Sequence, residues 1–193
     1  DSMCQYRACV LDKYELDVSD VAEELEMNSL PAYLRMKEYV PSERPNLLPL
    51  DTLAPLWKLP SLDEEEISLD SLKGKIILID FFYKGCYPCL LALPGLQQLH
   101  EEYKNKGLRV IGIDPYDTKE DGIAEFLKKH GVTYPVLLGN KKVVSDYRVA
   151  AYPSMYLIGR DGKIVFTQIG YGDGVDEKLE EAIEKELKRK IEN

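Results

Sequence analysis

From residue 54 onward, continuous apolar blocks of strand length alternate with segments in which apolar residues recur every three or four positions. Residues 75–83 (K-I-I-L-I-D-F-F-Y) are nearly unbroken in β-branched, apolar and aromatic side chains, the pattern of a strand covered on both faces. Leu90, Leu93, Leu96, Leu99 and Tyr103 then follow at helical spacing, predicting an amphipathic helix that stops at Gly107 and is kinked at Pro94. Residues 108–113 predict a second buried strand. Ile123, Phe126 and Leu127 mark a helix ended by Gly131. A third strand is expected at 136–138 and a short helix at 143–147. Residues 155–158 and 163–169 predict a hairpin turning at Asp161-Gly162. A last helix is expected over 175–191, with Asp176 and Glu177 early and Lys188, Arg189 and Lys190 late, as the macrodipole favours. Strand–helix alternation closed by a hairpin and a helix predicts an α/β domain with a mixed central sheet flanked by helices.

Residues 1–53 read differently. Val18, Val21, Ala22 and Leu25 recur at helical spacing among acids, and a second short helix is expected from Pro31, carrying Leu34 and Met36. Prolines at 41, 45, 49 and 55 follow, predicting a linker or a strap lying across a surface. The expected organisation is an acidic, mostly helical extension with a Pro-rich linker over 1–53, and one domain over 54–193.

The 193 residues carry 34 acidic and 25 basic side chains, a net charge of −9. Residues 1–53 hold 11 acids and 5 bases, against 23 and 20 in the remainder, so the extension is the more acidic part. Such a balance argues against nucleic-acid binding, which needs clustered Lys and Arg. No apolar run approaches the roughly 20 residues of a transmembrane helix. The sequence starts at Asp1 with no initiator Met and no signal peptide, so a processed or trimmed product is expected, any targeting segment lying outside this chain.

Four cysteines are too few for a disulfide-built scaffold of this length. Cys4 and Cys9 lie near the N-terminus, where they pair with each other, with a partner, or stay free. Cys86 and Cys89 form C-Y-P-C directly after a buried strand and at the start of a helix, and that context gives a short motif its meaning. Near the N-cap, a Cys86 thiolate can accept a hydrogen bond from the Cys89 amide and feels the positive end of the helix dipole. Such placement lowers a thiol pKa from about 8.5 toward roughly 3.5–7.5. Pro88 preorganises the first turn. Cys89, one turn further in, is the expected resolving thiol, and Lys84 is expected to add positive potential. The plainer alternatives are two ordinary buried cysteines or half of a metal site. Metal ligation usually wants four ligands, and His100 and His130 show no paired spacing near the motif. Both histidines, among charged neighbours on amphipathic helices, are expected on solvated surface, and Glu64-Glu-Glu66 in a solvated turn.

The stretch Ala54-Pro-Leu-Trp57, Leu62-Asp63, Ser68-Leu69, Leu72-Lys-Gly-Lys75 and I-L-I-D-F-F-Y-K-G-C-Y-P-C resembles the thioredoxin-like superfamily, and within it the TlpA-like branch of thiol–disulfide oxidoreductases. The likeness extends through Pro94, Val132-Thr-Tyr-Pro135, Tyr147-Arg-Val-Ala-Ala-Tyr-Pro153 and the M-Y-L-I-G-R-D-G-K-I-V-F hairpin. It implies a thioredoxin fold, with Pro153 as the family's cis-proline keeping a backbone N–H away from the sulfurs. Tyr152 would then offer strand-like backbone hydrogen bonds to a client peptide, with Tyr87 and Pro88 as further substrate contacts. Asp80 matches the buried acid of thioredoxins, with a raised pKa suited to relaying the proton of Cys89. Three departures stand out: Gly85 replaces the usual Trp, Ala92 replaces a Glu so that a second acid is missing, and the bulky Tyr152 precedes Pro153. Tyr83, Tyr87 and Tyr152 give the site an aromatic rim.

The resemblance implies a thiol–disulfide oxidoreductase that exchanges disulfides with client proteins, reduction of the client being the favoured direction. Neither an organic cofactor nor a metal is expected, the redox centre being the Cys86–Cys89 pair itself. It also implies an exported bacterial protein of the periplasm or cell envelope, supplied by an upstream thiol electron donor, although a cytoplasmic location stays open. Two rivals share the fold. A peroxiredoxin-like peroxidase usually needs a Thr three residues before its reactive Cys, where Tyr83 stands here. A redox-inactive binding module would use the acidic extension to dock a partner.

Overall fold

The computed structural model describes residues 46–189. The two expected N-terminal helices, Cys4, Cys9 and the start of the Pro-rich linker lie outside those residues. Around the predicted strands is a five-stranded sheet ordered β5-β4-β3-β6-β7, with β3 Ile76–Phe81, β4 Leu108–Asp114, β5 Val136–Leu138, β6 Ser154–Ile158 and β7 Ile164–Ile169. β3 runs parallel to β4, and β4 to β5; β6 is antiparallel to both β3 and β7. The hairpin turns at Gly162, whose φ of 79° is a conformation that glycine adopts without steric cost.

Period-two alternation sorts the central strand onto two cores. Ile76 and Leu78 point to one face, where α1 (Tyr87–Tyr103), α2 (Ile123–Lys129) and α4 (Val175–Lys188) cover them through Leu96, Leu99, Leu127, Leu179 and Ile183. Ile77, Ile79 and Phe81 point to the other, against Trp57, Leu59, Val143 of α3 (Lys141–Asp146), Tyr147 and Tyr156. Burying each such aliphatic or aromatic side chain contributes about 1.5–3 kcal/mol, which holds both helical layers to the sheet.

Three elements depart from the periodicity. A small antiparallel pair, β1 Lys58–Pro60 and β2 Glu66–Ser68, was not expected; the Glu64-Glu-Glu66 run lies at its turn and leads into β2, with Glu64 at φ 67°. The last helix stops at Lys188 rather than at 191, because Arg189 turns extended to pair with Asp161 and Glu186. Residues 46–53, expected in the linker, run against the domain. Leu47 and Leu48 pack on the second core, Asp51 N donates to the Ile164 carbonyl at 2.8 Å, and Leu53 bridges Lys163. At the opposite edge Ser61 bridges Leu137 of β5. Among the described residues no helix is long and apolar enough to cross a membrane.

Candidate active site

The C-terminal end of β3 delivers the chain into α1 through Tyr83-Lys84-Gly85, and Cys86 is the N-cap residue of that helix. Its Sγ accepts a hydrogen bond from the Cys89 N–H at 3.2 Å, one of the donors a helix start leaves without an internal partner. Pro88 sits in the first turn, where its missing N–H costs nothing. The two cysteines are joined in a disulfide, with Cα atoms 5.2 Å apart. Cys86 is 5% exposed and Cys89 1%, so the first is the sulfur nearer the surface, flanked by the exposed Gly85, Tyr87 and Pro88. The Tyr152–Pro153 peptide is cis.

Asp80 lies on the same face of the sheet as the cysteines, one strand residue away from Phe81 and level with Gly112 on β4 and Met155 on β6. It has no exposed surface, and among the described residues neither carboxylate oxygen finds a hydrogen-bond partner. Burial pushes its pKa up to about 7, because an anion in apolar surroundings loses its hydration. An acid poised there is matched to proton transfer near neutral pH.

Several sequence expectations change. Lys84 is not a free cation beside the sulfur: its ammonium donates to the Asp121 carbonyl and sits 4.0 Å from the Asp117 carboxylate, while its N–H donates to Asp117 at 2.6 Å. The aromatic rim forms, but with different members. Tyr83, Tyr116 and Tyr152 meet edge to face with ring centroids 5.4–5.5 Å apart, whereas Tyr87 stands alone and is 70% exposed. A side chain at Gly85 would come within 3.3 Å of the Tyr83 ring, so that ring packs against the residue preceding Cys86.

Ala92 is buried and leaves α1 without an acid there, but a second buried acid stands on β4. Asp114, at the end of β4, is fully buried. Its Oδ1 accepts from the N–H groups of Tyr116 and Asp117, both at 2.9 Å, and its Oδ2 has no partner among the described residues. Burial pushes this carboxyl up to about 7 as well, against the pull of the two backbone bonds. The sequence held a usable signal for it: a polar residue ending a buried strand parallel to β3 must emerge at the same end of the sheet as the cysteines. Likewise His100 is half-buried rather than solvated, its ring packed 6.0 Å from that of Tyr134. Among the described residues no cluster of three His, Cys, Asp or Glu side chains is arranged for a metal ion.

A buried cysteine pair capping the helix that follows a central strand, with a cis-proline loop beside it, defines a thiol–disulfide oxidoreductase built on a thioredoxin fold. The chain belongs to the thioredoxin-like AhpC/TSA family, whose sequence pattern matches residues 50–167. It is 31% identical over 137 residues to the thiol-disulfide oxidoreductase ResA of Bacillus thuringiensis (strain Al Hakam), across 70% of this chain and 75% of that protein. It is 31% identical over 119 residues to the thioredoxin-like protein YneN of Bacillus subtilis, across 61% of this chain and 69% of that one. Among solved structures, the thioredoxin domain of a thiol-disulfide oxidoreductase from Bacteroides vulgatus superposes with a TM-score of 0.63 at 26% identity, covering 69% of this chain and 97% of the other. A thiol:disulfide interchange protein from Bacteroides sp. gives 0.61 at 26% identity, covering 69% and 90%.

Proposed function

We propose that this oxidoreductase works as a reductant of client-protein disulfides, with Cys86 as the attacking thiolate, Cys89 as the resolving thiol and Asp80 as the acid–base partner of Cys89. Cys86 attacks a client sulfur and forms a mixed disulfide. Cys89, deprotonated by Asp80, attacks Cys86 and releases the reduced client. The observation that carries this reading is the 3.2 Å bond from the Cys89 N–H to the Cys86 sulfur, because a donor aimed at that atom stabilises it as an anion.

Tyr87 and Pro88 offer contact surface on one side of the sulfurs, and Tyr152 and Pro153 on the other. The backbone N–H and carbonyl of Tyr152 are not engaged by another backbone group among the described residues, which leaves both available to an extended client strand. No organic cofactor takes part, the electrons being held by the cysteine pair. An upstream thiol donor returns the pair to the reduced form. The TlpA-like resemblance supports an exported bacterial protein acting in the periplasm or cell envelope.

Disulfide reduction by purified protein tests the reading. Cys86→Ser is expected to abolish reduction of a protein disulfide, and Cys89→Ser to trap a mixed disulfide visible by non-reducing electrophoresis. Full activity in Cys86→Ser would refute it, and hydrogen peroxide turnover faster than disulfide turnover would favour the peroxidase instead.

A further inference from the structure

An acid that gives up and recovers a proton in each cycle needs a path to solvent, and Asp80 has no exposed surface. Among the polar atoms buried without a partner among the described residues on the same side of the sheet are the Tyr134 hydroxyl and Nδ1 of His100. Unpaired buried polar atoms are rare in folded proteins, and ordered water ordinarily meets them. Here Tyr134 stands between the other two: its phenol feels the Asp80 charge, and its ring lies 6.0 Å from that of His100. The carbonyl of Pro135, next to Tyr134, accepts from the N–H of Gly112 at 2.9 Å, and Gly112 is the register partner of Asp80. Gln97 on α1 clamps Thr133 through two bonds, at 2.7 and 2.8 Å, which holds the Tyr134 ring 6.0 Å from that of His100 one turn along the same helix. Tyr134 itself is 3% exposed, whereas His100 reaches the surface.

We propose that Tyr134 and His100, bridged by water, form the route by which Asp80 exchanges its proton with solvent. The inference rests on the assignment of Asp80 as the acid–base partner of Cys89. When Cys89 resolves the mixed disulfide, its thiol proton passes to the Asp80 carboxylate. The freed electron pair forms the Cys86–Cys89 bond, and the bond between Cys86 and the client breaks with its pair on the client sulfur. Asp80 then hands the proton outward: the Tyr134 oxygen accepts it while the phenol releases its own proton toward His100, and one proton reaches solvent for each Cys89 oxidised.

The electrostatics suit that passage. Burial and the Asp80 charge hold the Tyr134 phenol well above its usual pKa, so it stays neutral and both accepts and donates. Burial draws the His100 imidazole below its usual value. Glu101 on its own helix opposes that shift, and Lys104 on the same helix and Arg109 on β4 reinforce it, which leaves an unprotonated nitrogen ready to receive. Both are positioning residues, since neither touches the sulfurs.

Stopped-flow measurement of mixed-disulfide resolution provides the test, run on the parent and on Asp80→Asn, Tyr134→Phe and His100→Gln, each with its solvent deuterium isotope effect and reduction potential. Tyr134→Phe keeps the ring and is expected to slow resolution about tenfold, within the range that proton-transfer catalysis contributes. The half-exposed His100→Gln variant is expected to slow it severalfold, and both should leave the potential unchanged and alter the isotope effect. Slow Asp80→Asn with Tyr134→Phe or His100→Gln as fast as the parent would overturn the route while the Asp80 assignment stands. Asp80→Asn as fast as the parent would overturn that assignment itself. Slowing accompanied by a changed potential and an unaltered isotope effect would mark a packing role and also overturn the route.

Discussion

Removing the charge from Asp80 should change how the stability of the protein depends on pH. Its carboxyl is carried from the ordinary 3.8 to about 7 by burial alone, with no ion pair or hydrogen bond to compensate. Between those values the folded chain holds a proton that the unfolded chain has lost, so stability is full below the unfolded pKa and falls as pH rises through the folded one. The displacement is roughly three pH units, and at about 1.4 kcal/mol for each the full loss is about 4 kcal/mol. About 2.5 kcal/mol of it falls between about pH 5 and pH 8, the range open to measurement. Asp114, raised in the same direction, steepens the parent's curve, so the informative quantity is the difference between parent and variant. Urea unfolding of the oxidised parent and of Asp80→Asn across that range is the assay. The variant should gain on the parent by about 2–3 kcal/mol from the acid to the alkaline end. Parallel curves would show that Asp80 is ionised and solvated in the folded protein, and would remove the basis for its acid–base role.

Leu96, fully buried on α1 beneath the cysteines, should cost about 2–5 kcal/mol on truncation to Ala, read as a lower urea midpoint at unchanged slope. Tyr116→Ala removes two edge-to-face contacts, each worth about 0.5–1.5 kcal/mol, from the cluster beside Pro153. It should raise KM for a protein client severalfold while leaving turnover of a small soluble disulfide unchanged, and equal effects on both substrates would place Tyr116 outside client contact.

What could be read in advance was what neighbouring residues encode. The run over 75–83 is apolar on both faces because helices cover both, and the C-Y-P-C motif carries its own helix start, so sheet, helix order and sulfur pair all follow from local pattern. Asp114 had a local signal, a polar residue closing a buried strand, whereas Tyr116, Tyr134 and His100 escaped because their roles arise between segments far apart in the chain. Nothing near His100 in sequence announces Tyr134, 34 residues later, and the amphipathic pattern of α1 alone places a histidine among charges on the wet side. Lys84 failed for the converse reason: its neighbours show a free cation, while Asp117 and Asp121, more than 30 residues on, engage it. β1 and β2 are three residues each, too short for alternation to stand out.

Each margin of the central sheet is engaged in part by the stretch that precedes it, Asp51 to Leu53 along the start of β7 and Ser61 against β5. An uncovered margin is a template on which other chains polymerise. Backbone partners at those two borders reduce the unpaired donors and acceptors offered there, and so lower the tendency of this domain to join edge to edge with another chain.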